Sequence, residues 1–446
     1  MDTLAILGIA LAIITIIILS VRGLNIVIAA PLATLIVILT NDMPIFESFI
    51  GPQKSYMSGL ARFLIANFAI FLLGAIFAQY MEKSNATVSI ANVVLKKVGT
   101  DKPFLVVMAI SAIAAFLTYG GISLFVVMFA LVPLSRPIFK KINLDWSLFI
   151  IPLFFGMGTF TMSLLPGTPS VQNAVPTTSL GTTLTAAPLL SIVGTVVMIS
   201  FNLWYMYSQV NKSVKSGIGF YGYLDNKQPS NEKEDTELDE SKLPSLLVSV
   251  APILVLIAII LVFSKTPHII LVALTAAILV SAVLFHKYLP NNNQTAVLSN
   301  GAASAVMPAF ATSSSVGFGN ALTTATGFAV IKDSIMSIPG NPLISLSIAT
   351  ALLSGITGSS SGALGIAMSS FAQDYLAMNI APELIHRIAV VASAVLTVLP
   401  HSGVIITFNN LTGIPLKKGF KHAFWVVNGG HFVTLLTILL LASVLY

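Results

Sequence analysis

Long apolar stretches separated by short polar segments run through almost the whole chain. They predict membrane-spanning helices at about residues 3–21, 24–40, 62–81, 146–164 and 188–209, and again at about 244–263, 267–285, 305–330, 385–412 and 423–445. Two further apolar stretches, 103–135 and 342–370, are interrupted near their middles by glycine and serine. Their arms of about 14–17 residues are short for crossing a hydrocarbon layer ~30 Å thick. We therefore predict two re-entrant hairpins, each entering and leaving the membrane on one side.

Each half of the chain contains two polar interruptions of its apolar sequence, in the same order. The first half carries Thr118-Tyr119-Gly120-Gly121-Ile122-Ser123 and then Leu165-Pro166-Gly167-Thr168-Pro169-Ser170-Val171-Gln172-Asn173. The second half carries Thr357-Gly358-Ser359-Ser360-Ser361-Gly362 and then Leu399-Pro400-His401-Ser402-Gly403. Matched interruptions in two halves are the sequence feature that best indicates a transporter's binding site, because broken helices expose backbone dipoles. We therefore predict that the four interruptions meet around a substrate.

The pattern also predicts how the chain is organised. With each hairpin counted as no crossing, each half makes five passes, so the second half is inverted relative to the first. The expected fold is an all-α polytopic membrane protein with two inverted repeats, residues 1–210 and 244–446. The polar segment 211–243 is expected to be a cytoplasmic linker between them.

Composition restricts the class of protein. Hydrophobic residues make up 56% of the 446 residues and charged residues only 9%, as expected for a membrane protein. The absence of cysteine excludes disulfides and thiolate chemistry, and the absence of a P-loop motif excludes ATP-driven transport by this chain alone. No metal site and no cofactor are predicted.

The distribution of charge predicts the orientation. With both termini outside, most of the 22 lysines and arginines fall in inside segments, as the positive-inside rule requires. The outside segments receive Lys54, Arg62, Lys265, Lys332 and Arg387. The net charge of +6 therefore reflects membrane topology, and no nucleic-acid partner is expected.

The two hairpin tips are the first candidate binding groups. At each tip the returning arm directs unpaired N–H groups and about half a positive charge toward the cavity, so two tips could hold a carboxylate without an arginine. The candidate residues are Tyr119, Gly120, Gly121 and Ser123 in the first tip, and Gly358, Ser359, Ser360 and Ser361 in the second. The alternative is close helix packing, because Gly358 and Gly362 also form a small-xxx-small pair.

The two broken spans supply the other candidates. Pro166 and Pro169 remove two backbone donors within four residues, which makes a continuous helix unfavourable there. The candidate substrate ligands are Gly167, Thr168, Ser170, Gln172 and Asn173 in the first break, and His401, Ser402 and Asn409 in the second. The alternative is that these groups only satisfy the backbone of a proline kink. His401 can change charge near neutral pH, so it is a candidate for proton coupling as well as for a structural role.

An enzymatic alternative rests on one short motif. Gly358-Ser359-Ser360-Ser361-Gly362 fits the G-x-S-x-G nucleophile pattern, and an intramembrane serine hydrolase would pair Ser360 with His401. The motif requires a strand–turn–helix setting, whereas this segment lies in apolar helical sequence. We therefore predict a carrier and not an enzyme.

The chain resembles the gluconate permease family of the ion transporter superfamily. The resemblance rests on residues 73–77 and 81–86, on the break at 166–169, and on Leu399-Pro400-His401-Ser402-Gly403-Val404-Ile405-Ile406-Thr407 followed by Leu411-Thr412-Gly413. It implies a scaffold domain, a hairpin-bearing transport domain, a homodimer, and elevator-like proton symport across a bacterial plasma membrane. The sugar-acid carriers of that family typically have an acidic Phe-Glu-Val-Gly type stretch in the first hairpin, where this chain reads Tyr119-Gly120-Gly121-Ile122-Ser123. The chain is therefore more similar to members that carry short hydroxy acids such as 3-hydroxybutyrate.

The resulting hypothesis is proton symport of a small hydroxylated monocarboxylate, gluconate-like or 3-hydroxybutyrate-like. A sodium-coupled di- or tricarboxylate symporter of the same architecture is the main alternative, since hydroxyl and carbonyl oxygens also suit a hard cation. A passive channel is a further alternative.

Overall fold

The computed structural model describes residues 2–86, 89–90, 93, 101–119, 124–168, 170–224, 243–263 and 269–445. In this part of the chain the regular secondary structure is helical. The first half contains α1 (Asp2–Val21), α2 (Ile26–Thr40), α3 (Ile45–Ile50), α4 (Tyr56–Lys83), α5 (Pro103–Tyr119), α6 (Leu124–Lys141), α7 (Ile150–Met157), α8 (Phe160–Ser163), α9 (Val171–Leu180) and α10 (Pro188–Ser216). The second half contains α11 (Leu246–Val262), α12 (Ile269–Phe285), α13 (Gln294–Leu322), α14 (Thr326–Met336), α15 (Pro342–Thr357), α16 (Ser360–Ala377), α17 (Pro382–Ala392), α18 (Gly403–Thr412), α19 (Leu416–Ala423) and α20 (Gly430–Leu445).

Several of these helices are long and apolar enough to cross a membrane. Within the described residues they are Thr3–Ser20, Trp146–Ser163, Pro188–Ser216, Leu271–Tyr288 and Leu416–Leu445, with α4 as a sixth if its two bent parts form one span. Large apolar side chains cover the outer faces of the bundle, among them Leu4, Leu247, Val283 and Val444. Such a surface is stable only against lipid. The prediction of an all-α, multi-pass membrane protein is confirmed.

Helices lie where the sequence predicts the arms of the two hairpins, whereas entry and exit on one side of the membrane stays a prediction. The first hairpin consists of α5 and α6, and its tip residues Gly120, Gly121 and Ser123 lie outside the described residues. The second hairpin consists of α15 and α16, which pack against each other. Its turn is made by Gly358, whose φ of 60° lies in the left-handed region that favours glycine, and by Ser359, which caps α16.

The two broken spans are also present. In the first half α7 and α8 are followed by non-helical backbone before α9, and in the second half α17 is followed by non-helical backbone before α18. The helices that follow the breaks, α9 and α18, are each 10 residues long. Each ends at a left-handed glycine, Gly181 with φ 67° and Gly413 with φ 70°. A left-handed glycine therefore ends the helix that follows the break in both halves.

Packing between the hairpins and the broken spans follows one scheme in both halves. The outgoing arm packs on the helix before the break of its own half, α5 on α7 and α15 on α17. The returning arm packs on the helix after the break of the other half, α6 on α18 and α16 on α9. This exchange places both hairpins and both breaks in one central region. The inverted orientation of the halves, their assignment to residues 1–210 and 244–446, and the scaffold and transport domains stay predictions.

The structure corrects the helix predicted at residues 305–330. That segment belongs to two helices, because α13 begins at Gln294 and ends at Leu322, and α14 begins at Thr326. The hydroxyls of Thr323 and Thr324 donate to the carbonyls of Asn320 and Ala321 at 2.8 and 2.7 Å, which satisfies the end of α13.

The structure also describes the start of the segment predicted as a linker, 211–243. Helix α10 continues to Ser216, and Phe220 and Tyr223 are buried against the core. Residues 225–242 lie outside the described residues.

Helix α13 packs closely along α4, and Gly301 is one of the positions where their backbones approach each other closely. A Cβ at position 301 would lie 2.7 Å from Cα and 3.1 Å from the backbone nitrogen of Ile76. Gly301→Ala is therefore expected to lower the free energy of unfolding by about 1–3 kcal/mol through overpacking. Gly365→Ala is the matched control, because no atom lies within 4 Å of its added methyl group. Thermal unfolding in detergent checks this, and equal midpoints for the two variants would contradict it.

Candidate substrate-binding site

A cavity lies where the second hairpin meets the two broken spans. It encloses about 880 Å³ of space, including its opening. Its polar wall comes from the second hairpin tip, both broken spans, α13 and α20, and is formed by Ser163, Gln172, Thr312, Ser315, Thr357, Gly358, Ser359, Ser360, Ser361, Ser393, Thr397, Ser402, Gly403 and His431. Its apolar wall includes Leu124 and Phe125 at the start of α6. The cavity therefore touches both hairpins.

The tip of the second hairpin is fixed by the break that follows α17. Ser402 Oγ donates to the carbonyl of Gly358 at 3.0 Å. A Cβ at position 358 would lie 3.1 Å from both the His401 ring and the Ser402 Cα, so glycine is required by space as well as by its positive φ. The first turn of α16 then faces the cavity with Ser359, Ser360 and Ser361. A helix N-terminus in this position favours an anion.

One hydrogen bond joins the two halves at the cavity wall. Gln172 Nε2 donates to Ser360 Oγ at 3.1 Å, and both residues line the cavity. Gln172 Oε1 is buried and has no hydrogen-bond partner. A buried acceptor without a partner is costly, so this oxygen is suited to accept a hydrogen bond from a bound hydroxyl group.

Other candidates in the first break bond to the local backbone instead. Thr168 Oγ1 donates to the carbonyl of Thr161, and Ser170 Oγ donates to the carbonyl of Met162, each at 2.5 Å. Asn173 Nδ2 donates to the carbonyls of Thr168 and Leu184 at 3.0 and 2.7 Å, and its Oδ1 lies 3.1 Å from His386 Nε2. These three side chains hold the break in shape and do not line the cavity.

Three further candidates also lie away from the cavity wall. Gly167 is exposed and adopts φ 80°. Tyr119 is half-exposed and its hydroxyl donates to the carbonyl of Pro166 at 3.3 Å, which links the first hairpin to the first break. Asn409 lies on α18, and its buried Oδ1 has no partner.

His401 stands behind the hairpin tip. Its ring is buried, Nε2 lies 3.3 Å from the carbonyl of Ile356, and the ring of Phe318 packs edge-on against it. Ser315 Oγ donates to the carbonyl of His401 at 2.6 Å. His401 therefore shapes the hairpin tip from behind and does not line the cavity. Its hydrogen bond goes to Ile356 and that of Ser360 to Gln172, so the Ser360–His401 pair of a hydrolase is not formed.

Sequence reasoning did not place Ser163, His431 and Arg387 at the site. Ser163 and His431 line the cavity, and Ser163 Oγ lies 2.8 Å from His431 Nε2. Arg387 was expected in an outside segment, but it is fully buried and donates to the carbonyl of Ser163 at 2.6 Å. The sequence does contain one indication of this role for Arg387. An ionisable residue inside an apolar membrane segment is a candidate functional group by default.

Comparison with known proteins supports a transporter. No protein-family model matches the chain. The uncharacterized transporter YxjC of Bacillus subtilis (strain 168) is 29% identical over 445 residues, which covers 90% of this chain and 91% of that protein. The crystal structure of the Alcanivorax borkumensis YdaH transporter aligns with a TM-score of 0.36 and 12% identity over 87% of this chain and 86% of that one, a likeness too weak to support an argument. A full-length match to a transporter agrees with the prediction of a carrier over that of an enzyme, whereas membership of the gluconate permease family stays a prediction.

Asn173 supports the backbone of the first break and Gln172 faces the cavity, so alanine substitutions at the two positions should change the free energy of unfolding differently. Asn173→Ala removes three hydrogen bonds that hold the first break, two of them buried and one partly buried, whereas Gln172→Ala removes one. Asn173→Ala is expected to lower the free energy of unfolding by about 1–3 kcal/mol, and Gln172→Ala by clearly less. Thermal unfolding of both purified variants in detergent checks this. A larger loss for Gln172→Ala would show that the two roles are assigned the wrong way round.

Proposed function

We propose that this protein is a secondary transporter that carries a small hydroxylated monocarboxylate by proton symport across a bacterial plasma membrane, with both termini outside. The observation that carries the proposal is the cavity wall that combines the N-terminus of α16 with the partnerless Oε1 of Gln172. One group suits a carboxylate and the other suits a hydroxyl.

The proposed binding mode follows from the chemistry of the wall. The carboxylate accepts hydrogen bonds from the first turn of α16 and from the hydroxyls of Ser359, Ser360 and Ser361. The substrate hydroxyl donates to Gln172 Oε1, at the hydrogen bond that joins the two halves. The carbon chain lies against apolar side chains of the opposite wall, which include Phe63, Phe125, Phe154, Met157 and Val390.

The proposed substrate class is supported by what the wall offers and by the family resemblance. A sugar acid with many hydroxyls would need a wall with more free hydrogen-bonding groups, whereas a short hydroxy acid needs one acceptor and an apolar surface. This agrees with the departure of the first hairpin and the first break from the pattern of the sugar-acid carriers.

The proposed transport cycle is an elevator-type displacement in a homodimer. The exchange packing supports a transport body made of both hairpins and both broken spans, because α6 contacts α18 and α16 contacts α9. Elements with large lipid-facing surfaces, such as α1 and α11, then belong to the surrounding scaffold.

Uptake into proteoliposomes tests the proposal. With purified protein and labelled 3-hydroxybutyrate, an inward proton gradient in sodium-free buffer is expected to drive saturable accumulation above equilibrium, with gluconate a weaker competitor. Strict dependence on sodium would favour the di- or tricarboxylate alternative, and flux without saturation or coupling would favour a channel. Liposomes without protein provide the baseline for passive permeation of the acid.

A further inference from the structure

A hydrogen-bonded cluster of Arg387, Ser163 and His431 lies at a part of the cavity that the binding mode above does not use, with Ser163 and His431 in the wall and Arg387 behind Ser163. Arg387 Nη1 donates to the carbonyl of Ser163 at 2.6 Å, and Ser163 Oγ lies 2.8 Å from His431 Nε2. Ser163 and His431 line the cavity, and so does Val390, one helical turn after Arg387. The cluster therefore brings a titratable ring to the cavity wall and a fixed cation to the backbone directly behind that wall.

Arg387 is a buried charge that forms no ion pair with any described residue. Its Nε and Nη2 donate to the carbonyl of Ala186 at 3.3 and 3.0 Å, so its bonds go to backbone oxygens. The ion pair of Lys83 with Glu82 does not involve Arg387. A buried cation without an opposite charge is costly, and an anion in the adjoining cavity would offset that cost.

The hydrogen bonds around His431 accommodate an added proton. Nδ1 lies 2.7 Å from the carbonyl of Val427, which can only accept, so Nδ1 carries a hydrogen. Ser163 Oγ lies 2.8 Å from His431 Nε2 and 3.1 Å from the carbonyl of Thr159, but a hydroxyl has one hydrogen to donate. With a neutral ring the hydroxyl must choose between these acceptors. With a protonated ring Nε2–H donates to Ser163 Oγ, the hydroxyl donates to Thr159, and each contact is satisfied.

The backbone that precedes His431 is π-helical. Residues Phe424–Gly429 form a π-helical segment between α19 and α20, and Val427 belongs to it. Such segments are rare and are frequently found at functional sites.

The charged and titratable groups on the neighbouring elements are few. Helix α20 packs on α10, on α17 and on the π-helical segment, which carries none. The remaining groups are Tyr205, Tyr207, Lys212 and Lys215 on α10, with both lysines in its C-terminal part, and Glu383, His386 and Arg387 on α17. Arg387, which shares Ser163 with His431, opposes a second positive charge on the ring, and a carboxylate in the cavity removes that opposition.

We propose that His431 takes up the coupling proton and that Arg387 provides the fixed positive charge that makes proton and carboxylate bind together. This inference rests on the proposed function. A proton from the outer solution binds to Nε2 of His431, the hydroxyl hydrogen of Ser163 turns to Thr159, and both changes reverse when the proton leaves inside. The empty and the doubly loaded cavity then carry the same net charge, whereas the cavity with only one of the two ligands does not. The favourable effect of each ligand on the other is reciprocal.

Calorimetry on the purified protein tests this. Binding of 3-hydroxybutyrate is measured at one pH in phosphate and in Tris, whose different ionisation enthalpies report the protons taken up. The wild-type protein is expected to take up about one proton per anion when His431 starts neutral. His431→Gln is expected to bind the acid with the same enthalpy in both buffers, which means no proton uptake. His422→Gln is the matched control, because His422 is buried, bonds to Tyr205 at 3.0 Å and does not line the cavity.

A second variant keeps the proposal testable if His431→Gln does not fold. Ser163→Ala leaves His431 in place and removes the hydroxyl that accepts from its protonated form, so proton uptake per anion at the same pH is expected to fall below the wild-type value. Proton uptake by His431→Gln and Ser163→Ala equal to the wild type would overturn the assignment of His431 and leave the proposed function standing. A wild-type protein that binds no hydroxy acid would overturn the proposed function and this inference together.

Discussion

Backbone groups freed by a helix break must find hydrogen-bond partners inside the protein, because lipid offers none. The structure meets this constraint with a small set of buried side chains. Asn173 donates hydrogen bonds to the carbonyls of Thr168 and Leu184, and Arg387 donates to those of Ser163 and Ala186. The breaks can therefore persist at depth, and the cavity depends on them.

The same constraint explains why few polar groups remain for a substrate. Most hydroxyls and amides near the breaks already bond to the backbone, as Thr168, Ser170 and Ser402 do. Groups that line the cavity and have hydrogen-bonding capacity left include the first turn of α16 and the oxygen of Gln172. A sparse set of this kind selects a small ligand with one charge and few hydroxyls, and it does so at the contact between the two halves.

The sequence predicts the fold well where local chemistry decides it. Glycine at position 358 and the prolines near 166 predict a turn and a break that the structure contains, since glycine permits a positive φ and proline removes a backbone donor. The helix predicted at 305–330 is wrong because the end of α13 depends on the hydroxyls of Thr323 and Thr324, and hydropathy does not detect such caps.

The site is harder to predict because residue type does not reveal which way a side chain points. Gln172 and Asn173 are neighbours of similar chemistry, yet Gln172 faces the cavity and Asn173 faces the backbone. Arg387 and His431 are far apart in sequence, and they reach the same serine only through packing of α17 and α20. No local sequence motif predicts that Arg387 and His431 both contact Ser163.

The proposed binding mode requires Gln172 Oε1 to accept a hydrogen bond from the substrate hydroxyl. The relative affinities of two acids test this requirement. The measurement is the binding of 3-hydroxybutyrate and of butyrate to the wild-type protein and to Gln172→Leu, which removes the acceptor. The wild-type protein is expected to prefer the hydroxy acid by about tenfold, as one such hydrogen bond allows, and the variant is expected to lose that preference. A variant that still prefers 3-hydroxybutyrate to the wild-type degree would contradict the account.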